Sequence, residues 1–140
     1  MSNFFWLKLI KIFIGTNNKG KLREITNLLP KNIKVLSVLD IKIKSPKETG
    51  KTFTSNSRLK VKFFSKHVNF PVISDDSGLC IQCLKNKPGI YSARLAKKHG
   101  SFLKAMKYIL KKMEGKKNRK AIFVCSLSYK GYGGKIISTE

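Results

Sequence analysis

A β-branched run over residues 9–14 passes through the polar stretch TNNKGK into a segment whose Leu22, Ile25, Leu28 and Leu29 share one helical face until Pro30 stops it. A strand, a short loop and a helix in so few residues form a unit that buries its apolar strand only when the helix folds back over it, which commits the chain to an α/β plan. The alternation continues. Residues 33–38 read as a second strand, the polar KIKSPKETGKT as a loop, and residues 53–66 as a helix carrying Leu59, Phe63 and Phe64, with Thr54 or Ser55 as its N-cap. A short buried strand over 72–74 is expected to end at Asp75, Asp76 and Gly78; LCIQCL continues as a strand and NKPGIYSAR as a turn-rich loop. Phe102, Met106, Ile109, Leu110 and Met113 predict an amphipathic helix, AIFVCSLSY the clearest strand, and KGYGG a hairpin turn into residues 135–138. The reading is an α/β fold, a mixed sheet with flanking helices, in which ligands gather at strand ends. Two strand ends meet unusual polar residues, at 16–21 and at 74–77.

With 140 residues, 41% of them hydrophobic, the chain holds one domain with a core and is too short for two ordinary ones. A formal charge of +23 would ordinarily point to nucleic acid or an anionic membrane. The cations, however, are scattered lysines, and arginine, the residue suited to bidentate phosphate and base contacts, occurs only at Arg23, Arg58, Arg94 and Arg119. That distribution argues against a specific nucleic-acid partner. The opening MSNFFWLKLIKIFIG lacks a basic region ahead of its apolar run and is interrupted by Lys8 and Lys11, so it does not read as a signal peptide. No later segment has the length of a membrane span, and the expectation is a cytoplasmic protein without a membrane partner. Cys80, Cys83 and Cys125 are an odd set, and one C-x-x-C with no second pair cannot complete a zinc site.

From Gly15 to Lys21 the chain satisfies G-x-x-x-x-G-K, yet Leu22 stands where a phosphate-binding P-loop needs a magnesium-binding hydroxyl. Thr16, Asn18 and Lys21 ahead of a helix N-terminus still form an anion site by mechanism. A plain polar connection would use the same letters. Asp75 and Asp76 are two of only three aspartates in the chain, placed side by side between Ser74 and Ser77. Adjacent carboxylates repel, and the usual compensation is a divalent cation or neighbouring lysines. Asp-Asp-Ser-Gly also makes a good turn, and both readings stand at this point.

Taken as an ordered set, T-x-N-x-x-K after the first strand, ETGKTF with NSRLKVK, DDSGL and PGIYSAR resemble the inosine/xanthosine triphosphate pyrophosphatase family, from about Ile10 to the end of the chain. The resemblance implies hydrolysis of deaminated purine nucleoside triphosphates to the monophosphate and pyrophosphate, and an inosine triphosphatase-like fold. It implies that residues Thr16, Asn17, Asn18, Lys19, Gly20 and Lys21 form the triphosphate loop, and that Lys60, Ser77 and Arg94 also bind substrate. Asp76 matches the catalytic position, and Asp76, Asp75 and Glu48 would surround Mg2+. Homodimers are general in the family. Two departures are visible. Ser55 stands where relatives commonly carry a glutamate, and the Gly-Phe-Gly-Tyr-Asp-Pro and Ser-His-Arg segments that grip the purine are not reached by Glu140. The expectation is a single domain over 1–140 that lacks its C-terminal portion, with an inactive fragment or a basic nucleotide- or nucleic-acid-binding protein as the alternatives.

Overall fold

The computed structural model describes residues 9–140, so the first eight residues of the opening apolar run lie outside the described part. Strand β1 (Ile10–Ile14) leads into helix α1 (Lys19–Leu28), then β2 (Ile33–Ser37), the short α2 (Val38–Ile41) and α3 (Phe53–Phe64). The long strand β3 (Val72–Ile81) is followed by β4 (Lys87–Pro88), α4 (Ser92–His99), α5 (Phe102–Lys112), β5 (Ala121–Lys130) and β6 (Ile136–Thr139). All strands join one mixed sheet in the order β2-β1-β3-β5-β6, with β4 attached to β3. Pairs β1–β2 and β1–β3 are parallel, whereas β3–β5 and β5–β6 are antiparallel.

Two apolar clusters lie along this sheet. Phe13, Val72, Val61, Phe64 and Val38 form the first, where α3 crosses β1 and β3, with the Phe13 and Phe64 rings 5.1 Å apart between centroids. Ile81, Ile109 and Met113 form the second, where α5 covers the far end of β3. Helix α1 buries none of its residues, and Leu28 of its predicted apolar face is 83% exposed.

The pairing of β1 with β3 stops early and thereby creates the site. Only Phe13 and Ile14 of β1 pair with Val72 and Ile73, and Gly15 adds one bond from its N–H to the Ile73 carbonyl at 2.8 Å. Beyond that point β3 runs on. Its register with β5 is continuous from Val72 opposite Lys130 to Ile81 opposite Ala121. A ten-residue partner holds SDDSG extended, residues that would otherwise favour a turn, and this corrects the expectation that the strand ends at Asp75. Gly78 is required here. A Cβ at that position would sit 2.1 Å from the Gly89 carbonyl oxygen, so the backbone of the PGIY segment passes where a side chain would stand.

Three boundaries differ from the sequence reading. LCIQCL leaves the strand after Ile81 in a 3₁₀ turn over Gln82–Leu84. PGIYSAR is helical, a 3₁₀ turn over Gly89–Tyr91 running into α4, because the Ser92 hydroxyl donates to the Gly89 carbonyl at 2.7 Å and accepts from the Leu79 N–H at 2.9 Å. The N-cap of α3 is Thr52, not Thr54 or Ser55. Thr52 accepts from the Ser55 N–H, and Ser55 Oγ accepts from the Thr52 N–H, both at 3.0 Å, a reciprocal capping box in which serine takes the place of glutamate.

Candidate active site

Because β1 ends where β3 continues, residues 74–78 of β3 have no strand on that side among the described residues. Hydrogen-bond alternation sets which groups face the gap. Ile73 accepts from Gly15, Leu79 donates to Ser92 and Ile81 accepts from Asn86, all on this side, so the backbone N–H and C=O groups of Asp75 and Ser77 also point into it. The loop after β1 closes one wall. Within it, Thr16 Oγ1 accepts from the Asn18 N–H at 3.2 Å, and Asn17 Nδ2 reaches Ser45 Oγ at 2.8 Å, tying this loop to the one before α3. Asn18 is the N-cap of α1. Its Oδ1 accepts from the N–H groups of Gly20 at 2.9 Å and Lys21 at 3.2 Å, so those amides are already satisfied and the loop's grip on an anion falls more heavily on Lys21. Lys19 opens α1.

Successive side chains of a strand point to opposite faces, which separates the two adjacent acids. Asp75 and Ser77 face Lys21, whose Nζ bonds both of them. The second Asp75 oxygen, Oδ1, is buried and has no hydrogen-bond partner. Asp76 faces α3. There the fully buried Asn56 donates from Nδ2 to Asp76 Oδ2 at 2.9 Å and accepts from the Gly50 N–H at 2.7 Å. Burial pushes the Asp76 carboxyl above the ordinary carboxylate range, and the Glu48 charge adds to the rise; the Asn56 bond, Lys60 and the Ser77 N–H oppose it.

Glu48 holds two cations at once, accepting from Lys60 Nζ at 2.9 Å and lying 3.6 Å from the Arg94 guanidinium. Arg94 also covers the Tyr91 ring at 4.4 Å. The fold therefore gathers Asp76, Glu48, Lys60 and Arg94 on one side of β3, and Lys21, Asp75 and Ser77 on the other. Among the described residues no group of three His, Cys, Asp or Glu side chains converges into a ready-made metal cage.

Two contributors were not singled out from the sequence. Asn56 is the hydrogen-bonding partner of Asp76, and a polar residue on the inward face of an apolar helix was its signal. Ser57 Oγ bonds Ser128 Oγ at 2.7 Å and Ser126 Oγ at 3.3 Å, seating α3 on β5 beneath the acids. Alternate serines in SLSY carry that signal.

Comparison with known proteins bears on this arrangement. The Ham1 family matches residues 12–140. The chain is 36% identical over 121 residues to the dITP/XTP pyrophosphatase of Leptospira interrogans, covering 85% of this chain and 61% of that protein. It is 41% identical over 136 residues to the dITP/XTP pyrophosphatase of Borreliella burgdorferi, covering 92% and 66%. Among solved structures, the Ham1 protein of Staphylococcus aureus superimposes with a TM-score of 0.79 at 34% identity, over 91% of this chain and 67% of that one. The chain spans about three-fifths of the length of the first curated relatives it matches.

Proposed function

The chain belongs to the Ham1 family, and on that premise we propose that it carries the phosphate-handling centre of a nucleoside triphosphate pyrophosphatase acting on deaminated purine nucleotides. One observation above all supports the reading: Lys21, from the loop after β1, meets the carboxylate of Asp75 and the hydroxyl of Ser77 at the unpaired edge of β3. An anion entering this edge meets Lys21 from one face and Lys60 and Arg94 from the other, with the Ser77 hydroxyl as a further donor. Asp76 accepts the proton of the attacking water. A carboxyl raised above its ordinary range by burial takes up a proton more readily near neutral pH than an exposed one does. The water oxygen bonds to the α-phosphorus as the bond from that phosphorus to the α–β bridging oxygen breaks, so that pyrophosphate leaves with the bridging oxygen and the monophosphate keeps the water oxygen.

The same residues fit magnesium. The donor set is all oxygen, Asp75 Oδ1 is a buried acceptor without a donor, and this ion is commonly held by one or two carboxylates together with substrate phosphates and water. Asp75, Asp76 and Glu48 are the residues that would hold it. When bound, the ion would neutralise phosphate charge and draw electron density from phosphorus.

A cytoplasmic location, a homodimer and the lack of a specific nucleic-acid or membrane partner belong to the same proposal. No described helix is long and apolar enough to cross a membrane. Incubation with inosine triphosphate and magnesium tests the reaction. Pyrophosphate and inosine monophosphate should form without orthophosphate, and Asp76→Asn should abolish their release; orthophosphate as the first product would refute the assignment.

A further inference from the structure

Away from the candidate active site, one groove gathers cations that no acid balances. It lies between the outer side of α3 and the turn that joins β5 to β6, and has a volume of about 910 Å³. Strand alternation sets one wall. Ser128 of β5 bonds Ser57 of α3 and Ser138 of β6, so Lys130, two residues along, and Ile136, its partner in the register, face the helix as well. Lys135 adds a second cation from the turn. On the opposite wall Arg58, Lys62 and Lys66 follow at four-residue spacing along α3 and just past its end. Arg58 donates to the Ile136 carbonyl and to Ser138 Oγ, both at 3.1 Å, which fixes its guanidinium between the two walls.

Cations spaced four apart on a helix repel one another. A helix C-terminus attracts positive charge and accounts for Lys62 and Lys66, but Lys130 and Lys135 stand on a strand and a turn, where no helix dipole acts. None of the seven acids lines the groove, and the ion pairs of the described residues lie elsewhere, at Lys21, Lys60 and Arg94. The floor is apolar. Phe63 and Ile136 are half-buried outer members of the first core cluster, and the Phe63 ring is braced by those of Phe64 at 5.3 Å and His67 at 4.6 Å. A cleft of one sign with low-dielectric walls concentrates counter-ions, and a lone phosphate would leave most of this volume and the whole apolar floor unused. We propose that the groove is a second anion site, separate from the candidate active site, for a phosphorylated small molecule of the nucleoside monophosphate class. The cations of the two walls receive the phosphate, and Phe63 and Ile136 receive the apolar body.

The probe is adenosine monophosphate, titrated into the whole protein and followed by amide NMR. Shifts that saturate should appear at Lys62, Phe63, Lys66 and Ile136. Adenosine and inorganic phosphate should each bind roughly tenfold more weakly or worse, because each satisfies only one half of the groove. Lys62→Glu combined with Lys135→Glu should weaken binding by about tenfold or more; both side chains are exposed, so the fold is kept. Lys104→Glu combined with Lys107→Glu, on the exposed side of α5, makes the same change in net charge and should leave binding within about twofold. Asp76→Asn, which should abolish the proposed hydrolysis, should leave this affinity unchanged, so the two readings fail separately. Equal weakening by the two lysine pairs would assign the attraction to the charge of the whole chain and overturns the proposal. So does the absence of binding at millimolar nucleotide, inorganic phosphate or adenosine binding as tightly as the nucleotide, or shifts confined to Thr16 and Ser77.

Discussion

Replacing Asn56 by alanine tests the support of Asp76 most directly. Asn56 is fully buried and makes two bonds, a donation to Asp76 Oδ2 at 2.9 Å and an acceptance from the Gly50 N–H at 2.7 Å. A hydrogen bond to a charged acceptor contributes about 1.5–3 kcal/mol, and a buried amide left unmatched costs ~1–3 kcal/mol. Gly50 is half-buried, so water recovers part of the second amount, and the expected loss is about 2–4 kcal/mol of a domain stability that is typically ~5–15 kcal/mol. Urea denaturation should show the midpoint falling by roughly 1–2 M. The loss should also depend on pH. A carboxyl whose folded-state value lies above its unfolded 3.8 costs the fold only when ionised. That cost is absent in acid, grows as pH rises from 3.8 through the folded value, and is complete above it. Removing the Asn56 donor raises the folded value further, so wild type and variant should differ least in acid and most at neutral pH. Asn56→Leu, which restores volume without bonding, should repeat the pH dependence. A loss below ~0.5 kcal/mol, or one equal at pH 3 and pH 7, would show that this bond does not hold the Asp76 carboxylate.

Gly78→Ala would place its Cβ 2.1 Å from the Gly89 carbonyl oxygen and 2.6 Å from Ser92 Oγ, and should cost about 3 kcal/mol or more in thermal or urea unfolding; a neutral result would mean that the PGIY backbone gives way freely. Thr52→Ala removes the acceptor of the Ser55 N–H and should destabilise by about 1 kcal/mol, while Thr54→Ala, lacking the cap role, should not reproduce that helix-end loss in hydrogen exchange over α3. Duplex DNA should bind only weakly and without sequence preference, with log affinity falling by roughly 0.9 per phosphate contact for each tenfold rise in salt; tight binding to one sequence at physiological salt would overturn the reading of the scattered lysines.

Much of the fold was legible because it rests on local periodicity. The β-branched runs of β1 and β5 and the spaced apolar residues of α3 and α5 each indicate their own conformation. What the sequence hid depends on partners distant along the chain. Residues 75–78 are turn-formers by propensity, and they are strand because β5 supplies an unbroken ladder across them. PGIYSAR reads as turns, and it is helical because one hydroxyl, Ser92, is anchored by the Leu79 amide of a strand thirteen residues away. For the candidate site, residue types were visible and faces were not. Once SDDSG is known to be extended, alternation alone puts Asp75 and Asp76 on opposite faces, but the extension itself, and the packing that sets Lys21 against one acid and Asn56 against the other, are tertiary facts.

Charge gives the separation of the two acids a consequence for ligand binding. Three of the seven acids in this +23 chain, Glu48, Asp75 and Asp76, stand beside one stretch of β3, and two of them are held by cations: Lys21 on Asp75, Lys60 and Arg94 on Glu48. Those cations are also the groups that the proposed reading assigns to phosphate. On that reading an incoming triphosphate would compete for them, and every contact it gained with Lys21, Lys60 or Arg94 would weaken the hold on a carboxylate. Left alone, buried Asp75 and half-buried Glu48 would then lie beside a ligand of their own sign, an arrangement that a low-dielectric site strongly disfavours. On the proposed reading, Asp75, Asp76 and Glu48 would hold a divalent cation there, and its positive charge would offset both the carboxylates and the phosphates. On the proposed reading, lysine pairing in the ligand-free site and a metal in the loaded one would be two solutions to a single charge problem, and the lysine and arginine contacts hold Asp75 and Glu48 in place in the first.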